Sequence, residues 1–103
     1  MIRITYVGTT GSDCTGPYYV DISKPMLVGD FIEEYLKEYP REWGHFGVKD
    51  GKTIFGNPQW EYRYGMLLSK PDDRWFSRKI KSITGSGGWS RSDFLFELEE
   101  VER

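Results

Sequence analysis

The chain has 103 residues, a formal net charge of -2 and one cysteine. A chain of this length forms one domain, here residues 1–103, and can bury about two thirds of its unfolded surface without a metal ion or a disulfide. One cysteine excludes an internal disulfide, and the small net charge excludes a strong general attraction to nucleic acid or to an anionic membrane. Because the sequence begins without the charged and apolar segments of a signal peptide, we expect a cytoplasmic protein. No apolar run is long enough to span a membrane, so we expect no membrane partner.

Two strands are predicted before residue 23, because apolar residues recur there at every second position. These residues are Ile2, Ile4 and Tyr6 in the first strand and Tyr18, Val20 and Ile22 in the second. The segment between them, Gly8 to Pro17, is rich in glycine and small polar residues and predicts an exposed loop. The two strands are therefore expected to pair as an antiparallel hairpin.

A single amphipathic helix is predicted at about residues 28–39. Its apolar residues follow the spacing of one helical stripe: Val28, Phe31, Ile32, Tyr35, Leu36 and Tyr39. Asp30 lies in the first turn, where the helix dipole favours a negative charge, and Pro40 ends the helix. No other segment has this period, so the simplest architecture is one helix packed on one sheet.

The middle of the chain predicts further strands. A strand over residues 43–48 is expected to turn at Asp50-Gly51 and to return over residues 53–55. The next strand carries three aromatic residues on a face that we expect to be buried: Trp60, Tyr62 and Tyr64. Beyond a bulge at Gly65, residues 66–68 are expected to continue that strand.

A hairpin is also predicted in the last third of the chain. Residues 69–74 form a turn, and the strands extend from Phe76 to Ile83 and from Asp93 to Glu100. Gly85 to Gly88 is expected to connect these strands. The stretch from Gly85 to Ser92 has the composition of an anion cradle, but it lacks the ending and the following helix of a phosphate-binding loop, so a flexible connection is favoured.

The order of two strands, a helix and several later strands resembles the ubiquitin-like β-grasp fold. The likeness rests on this topology and on Val28-Gly29-Asp30-Phe31-Ile32 at the start of the helix, and it covers roughly residues 1–100. It implies an α+β fold in which the helix at about 28–39 packs on a mixed or antiparallel sheet built from N-terminal and C-terminal hairpins. The segment from Gly87 to Phe94 also resembles part of a family of small uncharacterised bacterial proteins, to which we attach no activity.

Conjugation chemistry is not carried over from this resemblance. Ubiquitin-type modifiers and sulfur carriers end in Gly-Gly, whereas this chain ends in Val101-Glu102-Arg103 and its only Gly-Gly is internal, at Gly87-Gly88. The resemblance therefore implies the other common use of the fold, which is a non-catalytic docking module.

Cys14 and His45 are the candidate reactive residues, and neither is expected to be catalytic. Cys14 has no neighbouring histidine or lysine that would activate its thiol. Alternation places His45 beside Trp43 on one strand face, where a structural or solvated role is favoured over a general base. One cysteine and one histidine cannot supply the usual ligands of a zinc site, so we expect no metal and no cofactor.

Aromatic residues next to arginine are the main indication of a binding surface. The chain has four Trp, seven Tyr and six Phe, which is more than a small core need hold. Exposed Trp beside Arg is typical of interaction hot spots, and Trp75 and Trp89 both have polar neighbours. We therefore expect a binding patch formed by Trp75, Trp89, Arg91 and Arg74.

Three functions follow from these patterns, in order of preference. The first is a non-catalytic protein-interaction module that binds another protein through a sheet edge or through the aromatic-arginine patch. The second is nucleic-acid binding through the basic and aromatic hairpin of residues 74–91. The third is a small nuclease-like enzyme centred on His45.

Overall fold

The computed structural model describes residues 2–6, 14–22, 24–50, 53–54, 60–69, 73–88 and 91–100. The elements within these residues are β1 (Ile2–Tyr6), β2 (Cys14–Ile22), α1 (Val28–Glu38), β3 (Trp43–Asp50), β4 (Thr53–Ile54), β5 (Trp60–Arg63), β6 (Met66–Leu67), α2 (Asp73–Phe76), β7 (Ile80–Gly88) and β8 (Arg91–Leu98). Neither helix of these segments has the length and the hydrophobicity that a membrane crossing requires.

The eight strands of the described segments join one mixed sheet. Their order is β1-β2-β7-β8-β3-β5-β6, and β4 pairs with the end of β3. Strand β8 is antiparallel to β7 and parallel to β3, with Trp43 opposite Arg91 at the start of the parallel ladder. Strand β3 is antiparallel to β5 on its other side, where Trp43 lies opposite Arg63. These two ladders place residues from three distant parts of the sequence side by side.

Helix α1 covers one face of the sheet because its apolar stripe meets alternate residues of the central strands. The ring of Tyr35 lies edge-on to that of Phe94 at a centroid distance of 4.7 Å, and Phe31 contacts Phe96 in the same way at 5.3 Å. Along β8, every second residue from Ser92 to Leu98 is buried. The intervening residues of these strands point to the opposite side of the sheet. We call this side the open face, because both described helices pack on the other side.

The first turn of α1 also contacts α2. A Cβ at Gly29 would collide with the ring of Phe76, so the glycine allows α2 to approach the helix closely. Trp75, the residue before Phe76 in α2, is only 5% exposed and belongs to the hydrophobic core. The second helix is therefore part of the layer that covers the sheet.

At Gly44, β3 lies close against the backbone of β8. A Cβ at this position would collide with the backbone carbonyl of Ser92. The Tyr62 hydroxyl donates a hydrogen bond of 2.6 Å to the same carbonyl and lies 3.4 Å from the Tyr35 hydroxyl. This buried contact joins β3, β5, β8 and α1 around one backbone oxygen, so it satisfies a polar group that burial would otherwise leave costly.

Several predicted elements are confirmed by the structure. The helix predicted at about 28–39 extends from Val28 to Glu38, and the N-terminal strands pair as an antiparallel hairpin. The return strand after Asp50-Gly51 is present, with Asp50 opposite Thr53. Trp60 and Tyr62 are buried in the core, as expected.

The predicted bulge at Gly65 is instead a reversal of the chain. Tyr64 and Gly65 have φ angles of 51° and 80° and connect β5 to β6, with Arg63 opposite Met66. Two successive positive φ angles are the signature of a type I′ turn, which matches the twist of a hairpin. Tyr64 therefore leaves the buried face that was predicted for it and is 67% exposed.

The predicted α+β, β-grasp-like fold class is wrong. Strand predominates in the described residues, which contain two short helices instead of one helix packed on the sheet. The N-terminal hairpin lies at one end of the sheet, and β8 inserts between β7 and β3. The parallel ladder between β3 and β8 is the physical reason, because it adds β3, β5 and β6 to the sheet beyond the two hairpins from which the sheet was expected to be built.

Two predicted loops also need correction. Gly85 to Gly88 belongs to β7, where Gly85 lies opposite Phe94, instead of connecting two strands. Cys14 to Pro17 belongs to β2 and is not loop, whereas residues 8–13 of that predicted loop lie outside the described residues. Phe76, the predicted start of a strand, ends α2.

Candidate functional site

The open face carries a compact group of aromatic and charged side chains on three adjacent strands, β8, β3 and β5. Trp43 of β3 is flanked by Arg91 of β8 and Arg63 of β5. The next row of the same strands consists of Asp93, His45 and Glu61. We call these six residues the Trp43 cluster: Trp43, His45, Glu61, Arg63, Arg91 and Asp93.

Trp43 is approached by two guanidinium groups from the strands on either side of it. The Cζ atom of Arg91 lies 5.0 Å from the centroid of the indole, and that of Arg63 lies 5.8 Å away. Both distances are within the range of cation–π attraction. The two arginines restrict the rotation of the indole between them. Trp43 is half-buried, so part of its ring stays accessible to a partner.

The Asp93 carboxylate fixes the orientation of both Arg91 and His45. Arg91 donates from Nε to Asp93 Oδ2 at 3.1 Å, and Arg91 Nη2 is also 3.1 Å from this oxygen. His45 Nδ1 lies 3.1 Å from Asp93 Oδ1. An ionised carboxylate only accepts hydrogen bonds, so the Nδ1 atom carries the proton in this contact, and Nε2 is the ring nitrogen left for other partners.

A second ion pair restrains the other arginine. Arg63 Nη2 lies 2.9 Å from Glu61 Oε1, along the same strand. The two arginines of the cluster are thus balanced by two carboxylates, and the site has little net charge. Such a surface offers directed N–H donors and an aromatic ring, and does not offer the uncompensated positive charge that phosphate binding requires.

Apolar side chains continue the open face beside the cluster. Met66, opposite Arg63, is 60% exposed, and Leu68, whose backbone N–H donates to Glu61, is also exposed. On the other side, Asp93 and Leu95 border a shallow depression of about 330 Å³ that also includes Ser86. The open face therefore combines aromatic, arginine and methionine side chains, which are the types enriched in protein interfaces.

Glu42 lies directly before the cluster and faces Ser92 on the covered side of the sheet. Partial burial raises the pKa of the Glu42 carboxyl above its ordinary value, and the hydrogen bond donated by Ser92 Oγ at 3.5 Å opposes this shift. Desolvation is the larger effect, because removing a carboxylate from water disfavours its charged form. Ionisation of Glu42 is thus less favourable in the folded chain than in the unfolded chain.

The predicted patch residues that the structure describes lie in two separate places. Arg91 belongs to the Trp43 cluster on the open face, whereas Trp75 lies in the core on the α1 side. Arg74 places its guanidinium 5.0 Å from the Trp75 ring. Trp89 lies outside the described residues. The aromatic partner of Arg91 in the structure is Trp43.

The other candidate residues are dispersed. Cys14 lies in β2 opposite Gly88, on a strand separated from β3 by β7 and β8. In the basic segment, Arg78 donates a hydrogen bond of 2.6 Å to the Glu99 carbonyl, and Lys81 lies 3.7 Å from Glu97. The described segments hold no group of three His, Cys, Asp or Glu side chains that could ligate a metal ion.

Sequence reasoning placed Trp43 and His45 on one strand face but did not identify Trp43, Arg63 or Glu61 as site residues. The missing information was the order of the strands, because Arg63 and Arg91 meet Trp43 only through the two ladders of β3. Comparison with known proteins found no family model, no curated protein and no solved structure that matches the chain, so the ubiquitin-like resemblance stays a prediction.

Proposed function

We propose that the chain is a non-catalytic protein-interaction module and that the Trp43 cluster is its docking site. The observation that supports this proposal most is the position of Trp43 between two guanidinium groups on the open face. Trp and Arg are the residues most often found at interaction hot spots. We also propose a cytoplasmic location, for which the single cysteine is the support.

The geometry favours binding because the side chains are ordered before a partner arrives. Each arginine is held by a carboxylate and by the indole, so ordering it at an interface costs less conformational entropy than ordering a free side chain. The cluster is also close to electrically neutral. A neutral partner surface with an apolar side chain for Trp43 and with carbonyl acceptors for the arginine N–H groups fits it best.

Affinity capture with matched variants tests the docking site. Trp43→Ala and Arg91→Ala should lose partners that the unchanged chain retains, and a partner that uses Trp43 as an anchor should bind Trp43→Ala about 30-fold more weakly. Tyr19→Ala is the control, because Tyr19 is an exposed aromatic residue of β2 that lies outside the cluster. Binding of each captured protein is then measured with purified components by calorimetry.

The result can exclude the proposal. Circular dichroism and urea unfolding first establish that Trp43→Ala keeps the fold, as expected for a half-buried residue of the open face. If Trp43→Ala and Tyr19→Ala then bind every partner with the affinity of the unchanged chain, the Trp43 cluster is not a docking site. Loss of binding by Tyr19→Ala alone would place the interface elsewhere on the sheet.

The contact between His45 and Asp93 favours a second candidate, the nuclease-like enzyme. A carboxylate on Nδ1 orients an imidazole so that Nε2 can exchange a proton with a substrate. This function predicts cleavage of single-stranded RNA that is lost in His45→Ala and reduced in Asp93→Asn. Absence of cleavage by the unchanged chain, or cleavage that persists in His45→Ala, would exclude it.

A further inference from the structure

The outer side of β1 has no paired strand among the described residues, since β1 ends the sheet. Five consecutive residues, Ile2 to Tyr6, pair regularly with β2 and leave the other side of the strand unpaired. The strand contains no proline, glycine or register shift, and its one charged residue, Arg3, is exposed. Proline, bulges, charged side chains and very short strands are the devices that usually protect a sheet edge, and Arg3 is the one charge that β1 places there, so the rest of this edge can accept another strand.

We propose that the edge of β1 pairs with β1 of a second copy of this chain, in an antiparallel register centred on Ile4. A twofold axis at Ile4 places Ile4 opposite Ile4, Ile2 opposite Tyr6 and Arg3 opposite Thr5 of the second copy. All five residues of β1 are then paired, and the same surface serves both copies, as a closed twofold interface requires.

The charges of the strand select this register. A register centred on Arg3 would place the two arginines directly opposite each other, which is unfavourable on a sheet. A register centred on Thr5 would leave Arg3 of both copies beyond the paired segment. A shift of one copy by one residue would place Ile4 opposite Thr5 of the other copy. The apolar face of one copy would then lie on the same side as the exposed face of the other, which is unfavourable.

The arrangement has a consequence for the Trp43 cluster, although it does not depend on the proposed docking function. A twofold axis perpendicular to the sheet keeps the open faces of both copies on the same side. Two Trp43 clusters would then be presented together, so a partner with two matching surfaces would bind more tightly than to one copy.

Cysteine cross-linking tests the register, and Cys14→Ser supplies a background without the native thiol. In the proposed dimer the two Ile4 Cα atoms are about 4.5–5.5 Å apart, whereas the two Thr5 Cα atoms are about 8 Å apart. A disulfide needs Cα atoms within about 7 Å. Under mild oxidation Ile4→Cys should therefore form a covalent dimer, and Thr5→Cys should stay largely unlinked. Equal linkage of both variants, or linkage of Thr5→Cys alone, would overturn the register.

Sedimentation velocity tests the association itself, at chain concentrations up to about 1 mM because a five-residue edge is a small interface. Thr5→Lys places a lysine opposite Arg3 at two symmetric positions and should raise the dimer dissociation constant about tenfold. Thr84→Lys, an exposed position on β7, is the control and should leave the dissociation constant unchanged.

The double variant Arg3→Glu with Thr5→Lys restores opposite charges across the edge and should recover the affinity that Thr5→Lys loses. Urea unfolding of each variant at low concentration establishes that the monomer is intact. A chain that stays monomeric at every concentration overturns the proposal. So does a dimer that Thr5→Lys and Thr84→Lys weaken equally, because its interface would lie elsewhere.

Discussion

Gly44 occupies a position in β3 at which the backbone of β8 leaves no room for a side chain. A methyl group there would collide with the Ser92 carbonyl, which is backbone and cannot rotate away. Gly44→Ala should therefore push β3 from β8 and weaken the hydrogen bond that Tyr62 donates to the same carbonyl. We expect the free energy of unfolding to fall by about 2–4 kcal/mol, measured by urea denaturation.

Gly47, in the same strand, provides the matched control for this prediction. A Cβ there would lie 3.7 Å from Leu95 Cδ1, which is an ordinary contact on the open face. Gly47→Ala should change the free energy of unfolding by less than about 1 kcal/mol. Equal effects of the two substitutions would show that β3 and β8 do not approach closely at Gly44.

The raised pKa of Glu42 should make the free energy of unfolding depend on pH, and Glu42→Gln should remove that contribution. The folded chain binds a proton at Glu42 more tightly than the unfolded chain does, so stability falls as pH rises from the ordinary pKa of this carboxyl through the raised one. Above that window, Glu42→Gln should be more stable than the unchanged chain. Below it, the advantage should shrink, because Glu42 is then protonated in both states.

Thermal or urea unfolding between about pH 4 and pH 8 checks this prediction. Glu100→Gln, an exposed position after β8, is the control and should follow the pH dependence of the unchanged chain. A Glu42→Gln variant that is less stable at pH 8 than at pH 4, relative to the unchanged chain, would reverse the sign of the inferred effect.

Part of the candidate site could be predicted at the level of single residues. Alternation along β3 is sufficient to place Trp43 and His45 on one face, because the side chains of a strand have a period of two. Polar neighbours in sequence misled the interpretation of Trp75, since α2 turns that ring into the core regardless of them. Local composition describes neighbours along the chain, whereas burial depends on neighbours in space.

The hairpin of β5 and β6 contains a residue that does not suit its turn. Tyr64 has a φ of 51°, in the left-handed region where a Cβ is unfavourable, and asparagine before glycine is the preferred pair in a type I′ turn. Tyr64→Asn should raise the free energy of unfolding by about 0.5–1 kcal/mol, because the exposed ring contributes little burial. Chemical denaturation measures the change.

Tyr19→Asn is the control for the turn substitution. Tyr19 is equally an exposed tyrosine, but it lies within β2, where asparagine is a poor strand residue. The same substitution should therefore destabilise the chain at Tyr19 and stabilise it at Tyr64. Loss of stability at both positions would mean that Tyr64 makes packing contacts that outweigh its backbone conformation.

The sequence predicted an element correctly where its residues followed one clear periodicity, and incorrectly where a strand was rich in glycine. The stripe of α1 has no competing interpretation, and the Asp50-Gly51 turn is a strong local signal. Gly85 and Gly87 have the composition of a loop, yet they lie opposite Phe94 and Ser92 in the β7–β8 ladder. An aromatic residue across the ladder can cover a glycine, and no local pattern in β7 indicates that partner.

The position of each strand in the sheet predicts how strongly its backbone hydrogen bonds resist opening. Strands β3 and β8 are paired on both sides and carry buried rings, whereas β6 is a two-residue strand at the end of the sheet. Native-state hydrogen exchange should therefore show the slowest amides in β3 and β8 and fast local opening in β6. Amides of β6 that exchange as slowly as those of β8 would contradict this order.

The topology of the whole molecule was the least predictable level. Each strand could be inferred from a few neighbouring residues, but the parallel pairing of β3 with β8 joins segments that are far apart in the sequence. Nothing in either segment encodes the choice of partner by itself. The fold class was wrong for this reason, and the residues that meet Trp43 could not be inferred without the strand order.

The central place of β8 also matters for how the chain acquires its structure during synthesis. A ribosome that has released residues up to Gly88 has produced β7 and β3 but not the strand that lies between them. Until β8 has been translated, the ring of Phe31 lacks its contacts with Phe94 and Phe96, and the ring of Tyr35 lacks its contact with Phe94. The emerging polypeptide therefore exposes these apolar rings until β8 has been made, and α1 can pack on a complete sheet only after that point.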